Sequence, residues 1–131
     1  MRRGTVQSSN TLRRVAEEFP IPEAFSVRTE RHGDAAVVVP TGELDLATAP
    51  ALEEALGRAF EDGSGRVVLD LRELEFIDSS GLRTLLTARR RAEQAEAQFS
   101  LVAGHRALER TLEIAGVHKV FEWTPAEELT R

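Results

Sequence analysis

The sequence predicts an α/β fold built as one domain. Short apolar segments rich in valine and leucine alternate with longer segments of helical periodicity, and this alternation is typical of a sheet layered with helices. The length of 131 residues suits a single domain with its own core. The composition, 41% hydrophobic and 30% charged, is that of an ordinary soluble globular protein.

Residues 1–22 are predicted to form an N-terminal extension, and residues 23–131 the domain proper. Within the extension, Asn10 can cap a short helix that Pro20 ends. Its apolar positions follow i, i+3, i+4 and i+7 and are Leu12, Val15, Ala16 and Phe19. A helix this short is only marginally stable in isolation. We therefore expect it to dock on another surface. Docking on its own domain and contact with a second copy or a partner both remain open.

The first half of the domain predicts two strands and a helix. Residues 25–29 and 37–39 have strand composition, and Pro40 predicts a sheet edge, a bulge or the point where pairing ends. The segment 47–63 has the periodicity of a helix with Pro50 in its first turn and Thr48 or Ala49 as its cap. The predicted buried stripe is Leu52, Ala55, Leu56, Ala59 and Phe60.

The second half continues the alternation. "RVVLDLREL" predicts a strand, the heptad "FIDSSGL" opens a second long helix, and "FSLVAG" predicts another strand. "HRALERTLEIAGV" predicts a third helix with Gly116 at its C-terminal cap, and "KVFEW" a last short strand. The order is therefore β-β-α-β-α-β-α-β. The positions predicted to face inward on the two helices are Leu82, Leu85, Leu86, Ala88, Ala92 and Ala95, then Leu108, Leu112 and Ala115.

Composition excludes several classes of function. No apolar run approaches the roughly 20 residues that cross a bilayer, and no apolar segment of a secretory signal follows the basic start. The absence of cysteine and the scattering of His32, His105 and His118 predict no metal site and no cofactor. A net charge of −5 argues against nucleic-acid binding. We therefore expect a cytoplasmic protein that binds another protein and neither membrane nor nucleic acid.

The heptad from Phe76 to Leu82 carries the candidate site. Asp78, Ser79 or Ser80 could simply cap the helix, because Asp and Ser are favoured there. Two adjacent hydroxyls nevertheless exceed what one cap needs. A glycine in the first turn, Gly81, costs up to about 1 kcal/mol relative to alanine and permits close approach of another surface. The position after a strand is also where open α/β sheets meet ligands and partners.

An enzyme is not predicted. The nucleophile elbow of esterases requires G-x-S-x-G, and around Ser79 the leading glycine is replaced by Ile77. The sequence identifies no histidine as the base that such a serine would need. The "GSG" at Gly63 lacks the lysine and the spacing of a phosphate-binding loop.

Three segments in order, "TGELDLATAPALEEAL", "RVVLDLRELEFIDSSGLRTLL" and "RALERTLEIAGVHKVFEW", resemble anti-sigma factor antagonists of the STAS domain family. The resemblance covers about residues 25–127. It implies a mixed sheet of four to five strands with helices packed mainly on one face. It also implies a protein that binds an anti-sigma factor and thereby frees a sigma factor, where the anti-sigma factor is itself a serine kinase of the ATP-binding GHKL type.

The resemblance also implies roles for single residues. The kinase inactivates such proteins by phosphorylating the second hydroxyl of the motif, here Ser80, with Ser79 as the alternative, and a PP2C-like phosphatase would reactivate them. Asp45 falls where the family carries an acid that contacts the partner, although it could equally be a solvent-facing turn acid. Asp78 would cap the helix or orient the hydroxyl. The residues implied in partner binding are Glu43, Asp45, Asp78, Ser79, Gly81, Leu82 and Arg83, the last three as an exposed first turn.

Electrostatics suggests how such a switch works. A phosphate adds about −1.5 to −2 charges, which the amides and the dipole at a helix N-terminus tolerate. The effect is therefore expected at an interface, where acidic neighbours make the patch repulsive. The alternative is a STAS scaffold or a transporter-associated subunit whose serine is never modified. A monomer or a weak dimer is expected in either case.

Overall fold

The computed structural model describes residues 25–129, which form six strands and three helices. The predicted helix near residues 10–19 and the domain boundary at residue 22 lie outside the described residues. The strands are β1 (Ser26–His32), β2 (Ala35–Leu44), β3 (Arg66–Asp70), β4 (Leu74–Ile77), β5 (Gln98–Val102) and β6 (Glu122–Trp123). The helices are α1 (Ala49–Glu61), α2 (Ser79–Ala95) and α3 (Arg106–Ile114), and two short 3-10 turns span His118–Val120 and Ala126–Glu128.

The strands form one mixed sheet in the order β1-β2-β3-β5-β6. β1 runs antiparallel to β2, and the other pairings are parallel. The predicted α/β class with a mixed sheet is confirmed. The sheet contains six strands rather than four to five, because β4 is a separate strand. It pairs with the last residues of β2, after the residues of β2 that pair with β3. The sequence pattern divides its four residues, LEFI, because Leu74 ends the predicted preceding strand, and Phe76 and Ile77 begin the heptad before α2.

Pro40 lies where the pairing of β2 changes from one neighbour to the next. β3 pairs with Ala36–Val38, and the pairing with β4 begins at Gly42 with a register shift between Gly42 and Glu43. Because proline cannot donate a backbone hydrogen bond, an interval between two partners accommodates it. Of the outcomes predicted at Pro40, pairing ends there on the β3 side alone, because Pro40 still pairs with Val27 of β1 and β2 continues to Leu44.

The main core lies between the sheet and helices α1 and α2. The predicted α1 stripe is buried from Leu52 to Ala59, and Phe60 is partly buried. On α2, Leu85, Ala88 and Ala92 are buried. The prediction was wrong for the exposed Leu86, Ala95 and Ala115. Leu86 is one helical position past Leu85 and so turns about 100° away from the sheet, while Ala95 and Ala115 lie at helix ends.

The first helix begins and the third helix ends as their sequences predict. Thr48 is the N-cap residue of α1 and precedes Ala49 and Pro50. α3 ends at Ile114, and Gly116 follows with a φ of 79°. This left-handed conformation suits glycine, which has no Cβ to clash. α3 connects β5 to the parallel β6, so it returns the chain to the end of the sheet where both strands begin.

Candidate functional site

The candidate site forms where β4 passes into α2. The carboxylate of Asp78 accepts a hydrogen bond from the Gly81 amide at 3.0 Å, and the Asp78 carbonyl accepts the first helical bond from Leu82 at 2.9 Å. Asp78 is thus the N-cap residue of α2, with extended backbone. The sequence left two roles open for Asp78, capping the helix and orienting a hydroxyl. The observed hydrogen bond to the Gly81 amide is the capping one.

The loop after β2 lies directly beside this helix start. Leu44 pairs with Ile77, and the Asp78 amide donates to the Leu44 carbonyl at 3.1 Å. Because β2 and β4 are parallel, their carboxyl ends meet at the same end of the sheet. Glu43 and Asp45 therefore lie at the same end of the sheet as the start of α2, which carries the two serines.

Gly81 is buried, so its predicted exposure to a partner is wrong. A Cβ at this position would lie 2.6 Å from Cγ1 of Ile77 and 2.9 Å from Cγ of Leu44. The close approach that a glycine permits is therefore made by the protein's own core. In the first turn the exposed residues are Ser79 and Arg83, and Leu82 is partly buried.

The two serines differ in their surroundings. Ser79 is exposed and Ser80 is half-buried, so exposure alone favours Ser79 as the more accessible hydroxyl. The carbonyl of Ser80 accepts a hydrogen bond from the Thr84 hydroxyl at 3.2 Å, and the same hydroxyl lies 3.2 Å from Oε2 of Glu53 on α1. The amides at the start of a helix have no carbonyl partner within it, and Asp78 occupies only that of Gly81. Ser79 and Ser80 are the first two residues of α2, so their amides belong to this set, which is the kind that binds anions at helix N-termini.

Asp45 is built into the turn that starts α1. One of its carboxylate oxygens accepts hydrogen bonds from the amides of Ala47 at 3.0 Å and Thr48 at 3.1 Å. The buried Thr48 hydroxyl donates to the Glu43 carbonyl at 2.8 Å and accepts from the Asp45 amide at 2.9 Å. Asp45 remains half-exposed, so it holds the loop and still presents charge at the surface. Glu43 is exposed on the last part of β2.

Exposed leucines beside the site were missed in the sequence. Leu46, directly after Asp45, is 76% exposed, and Leu86, one turn beyond Leu82 on α2, is 38% exposed. In the sequence, Leu46 is an apolar residue that belongs neither to the predicted strand nor to the apolar stripe of α1. This isolated position could have identified it as an exposed residue. These exposed apolar side chains are candidates for contact with a partner protein.

The largest pKa shifts occur away from this site, on an ion pair that joins β1 to the turn before β4. Arg28 donates two hydrogen bonds to the carboxylate of Glu73 at 3.0 and 2.8 Å, and the Thr41 hydroxyl donates a third at 2.8 Å. The hydrogen bonds from Arg28, and then that from Thr41, lower the pKa of Glu73 to about 2. The same pairing raises the pKa of Arg28. The pair is well exposed and acts as a surface clamp across β2.

Residues 25–129 contain no group of three or more histidine, cysteine, aspartate or glutamate side chains placed to hold a metal ion. Over the same range no helix has the length and apolar character needed to span a membrane.

Comparison with known proteins places this geometry in a family. The model of the STAS domain matches residues 26–129. The anti-sigma-F factor antagonist RsfB of Mycobacterium tuberculosis is 35% identical over 100 residues, which cover 76% of this chain and 81% of that protein. The anti-sigma-B factor antagonist of Listeria monocytogenes is 32% identical over 94 residues, covering 71% and 82%.

A solved structure agrees with the sequence relatives. The crystal structure of an anti-sigma factor antagonist from Mycobacterium paratuberculosis superposes with a TM-score of 0.72 at 32% identity, covering 81% of this chain and 90% of that one. The fold, the matched range and the relatives agree with the resemblance carried by the three sequence segments. The chain belongs to the STAS domain family.

Proposed function

We propose that the protein is an anti-sigma factor antagonist that binds an anti-sigma factor and so frees a sigma factor. The observation that carries the proposal is the contact of Asp78 with Leu44, which brings a pair of phosphorylatable serines beside an acidic loop. Relatives that share a third of the sequence bear the name of such antagonists. The exposed Leu46 supplies an apolar contact of the kind that protein interfaces bury.

The regulator of this interaction is proposed to be phosphorylation of Ser80 by the anti-sigma factor itself, a serine kinase of the GHKL type. A PP2C-like phosphatase would remove the phosphate. The protein would thus be a cytoplasmic binding module and not an enzyme. The choice of Ser80 over the more exposed Ser79 rests on its position in the family motif, and its half-buried side chain leaves the hydroxyl within reach of a kinase.

The phosphate should leave the fold intact. At the start of α2 it meets backbone amides and the positive end of the helix dipole, which stabilise an anion by about 0.3–1 kcal/mol. Asp78 already occupies the Gly81 amide and stays in place as the cap. We expect no core side chain to move, because Ser80 is partly exposed.

Binding to the anti-sigma factor, in contrast, should be weakened by the phosphate. The phosphate would add its charge to those of Glu43, Asp45 and Asp78, which converge at the ends of β2 and β4. Burying an uncompensated charge in an interface costs about 2–5 kcal/mol. A loss of about 2.7 kcal/mol already lowers affinity a hundredfold. The switch therefore requires no large conformational change.

The direct test is incubation with ATP and the candidate anti-sigma factor kinases of the source organism, followed by mapping of the modified residue by mass spectrometry. Ser79→Ala and Ser80→Ala are matched variants, since each removes one hydroxyl from the same turn. We expect phosphate in the wild type and in Ser79→Ala, and none in Ser80→Ala. The reverse pattern would assign the phosphate to Ser79. No incorporation with any of these kinases would favour a scaffold whose serine is not modified.

A further inference from the structure

The sheet has a second apolar face, opposite α1 and α2. Side chains alternate along a strand, so Val37 and Val39 point away from the face that Ala36 and Val38 turn toward the helices. Val68 on β3 continues this second face. The full cluster is Ala35, Val37, Val39, Val68, Val102 and Leu129. We call it the rear face.

The rear face is buried, and few hydrophobic side chains of residues 25–129 from outside the sheet lie against it. Val37 and Val68 are each 0% exposed. From outside the sheet, the hydrophobic side chains among residues 25–129 that join this cluster are Leu129 and the partly buried Ala126, both from the C-terminal turn. These two side chains belong to the C-terminal turn, whereas the valines of the rear face extend over three strands, each about 4.8 Å from the next.

The rim of the rear face is polar. On β1, the residues that pair with Val39, Val37 and Ala35 are Arg28, Glu30 and His32, which lie on the same side of the sheet. Arg28 is tied to Glu73 and Glu30 to His32. An apolar strip bordered by ion pairs suits one amphipathic element laid along β2, with its apolar side down and its polar side in water.

We propose that residues 10–19 of the same chain form this element and dock on the rear face. Their apolar stripe is Leu12, Val15, Ala16 and Phe19. As a helix, ten residues span about 15 Å, which matches the roughly 13 Å from Ala35 to Val39 along a strand. A helix this short is marginal in water and needs a surface on which to bury its stripe.

The point where the described chain begins allows this placement. Ser26 starts the edge strand β1 and pairs with Thr41 near the end of β2. The segment before it, residues 20–24, spans up to about 17 Å when extended, whereas neighbouring strands are only about 4.8 Å apart. The extension can therefore turn back over the rear face from the same end of the sheet that carries the serines. A docked helix would fix the start of β1 near the end of β2 and the loop that follows it.

The absence of cysteine permits a clean test in the full chain. Ala16→Cys places a thiol on the apolar stripe, and the matched Glu17→Cys places one about 100° further around the helix, on its polar side. The rate of reaction with Ellman's reagent is measured for each native protein and for each in urea. We expect the thiol at position 16 to react at least tenfold more slowly than that at position 17, and the two to react equally in urea.

A second pair of substitutions links the protection to the rear face. Val68→Ala removes volume from that face, and Val67→Ala removes the same volume from the helix side of the same strand; both valines are 0% exposed. Val68→Ala should accelerate the labelling of Cys at position 16, and Val67→Ala should leave it nearly unchanged. Equal native rates at positions 16 and 17 would overturn the proposal. Protection that rises with protein concentration, together with a dimer mass, would overturn it in favour of a second copy.

Discussion

Gly81 packs against Leu44 so closely that a Cβ on the glycine would lie 2.9 Å from the leucine Cγ. The first turn of α2 is thereby held against the end of β2. The Asp78 amide also donates a hydrogen bond to the carbonyl of the same leucine, Leu44. Packing and a hydrogen bond therefore hold the turn that carries the serines against the end of β2, which leads into the acidic loop.

Gly81→Ala should destabilise the protein by about 1–3 kcal/mol, because the added methyl group overpacks Ile77 and Leu44. Gly57→Ala is the matched control, since Gly57 is also a buried helical glycine. There the new Cβ meets only the end of the flexible Arg91 side chain. Alanine should therefore be neutral or stabilising by up to about 1 kcal/mol at position 57. Urea unfolding measures both, and equal effects at the two positions would contradict the packing argument.

Asp78→Ala should lower the free energy of unfolding by about 1 kcal/mol, because the Gly81 amide loses its acceptor. Asp78→Asn keeps a side-chain oxygen at the cap and should retain most of the stability. Chemical denaturation of the three proteins at neutral pH checks the prediction. If Asn were as costly as Ala, capping would not be the role of Asp78 in the fold.

Acidification should remove the contribution of the Arg28–Glu73 clamp. The pKa of Glu73 is lowered to about 2 in the folded protein, so the pair stabilises the fold above the usual glutamate pKa of about 4.3. That contribution is lost as the pH falls through this window toward 2. The urea midpoint of the wild type should exceed that of Glu73→Gln at pH 6, and the difference should shrink at pH 2.5. Since the pair is exposed, added salt should also reduce this difference in urea midpoint. A difference independent of pH would contradict the assignment.

Leu46→Ser should weaken binding to the anti-sigma factor about tenfold or more, because burying a leucine contributes about 1.5–3 kcal/mol. Stability should change little, as the side chain is 76% exposed. Ile114→Ser is the control, since Ile114 is also 76% exposed. It ends α3, which leads back to the opposite end of the sheet. Titration calorimetry with both variants tests this, and equal losses of affinity would contradict a binding surface at the loop after β2.

Much of this architecture can be predicted from the sequence, because α1, β2 and the cap at Gly116 each follow a local rule of periodicity or backbone conformation. β4 could not be, since four residues with two exposed side chains look like a connection until they pair with β2. Gly81 shows the same limit at the site. The sequence displays a glycine that costs helix stability, but the reason is Leu44, which lies far away in the chain and close in space.

The site was predicted to the extent that its chemistry is local. Asp78 and the serines form a continuous motif, and their proximity to Glu43 follows from the parallel pairing of β2 and β4. The exposure of Leu46 depends on how the loop turns around Asp45 and Thr48, which only the hydrogen bonds of the folded loop reveal.

The central claim is that phosphate on Ser80 impairs the interface and spares the fold. Its most direct test is the Kd of the anti-sigma factor for the unmodified protein and for protein phosphorylated at Ser80, with thermal unfolding recorded for both. We expect binding about a hundredfold weaker after phosphorylation, equivalent to about 2.7 kcal/mol, and cooperative unfolding at nearly the same temperature. Equal Kd values for the two forms, or loss of cooperative unfolding in the phosphorylated one, would contradict the claim.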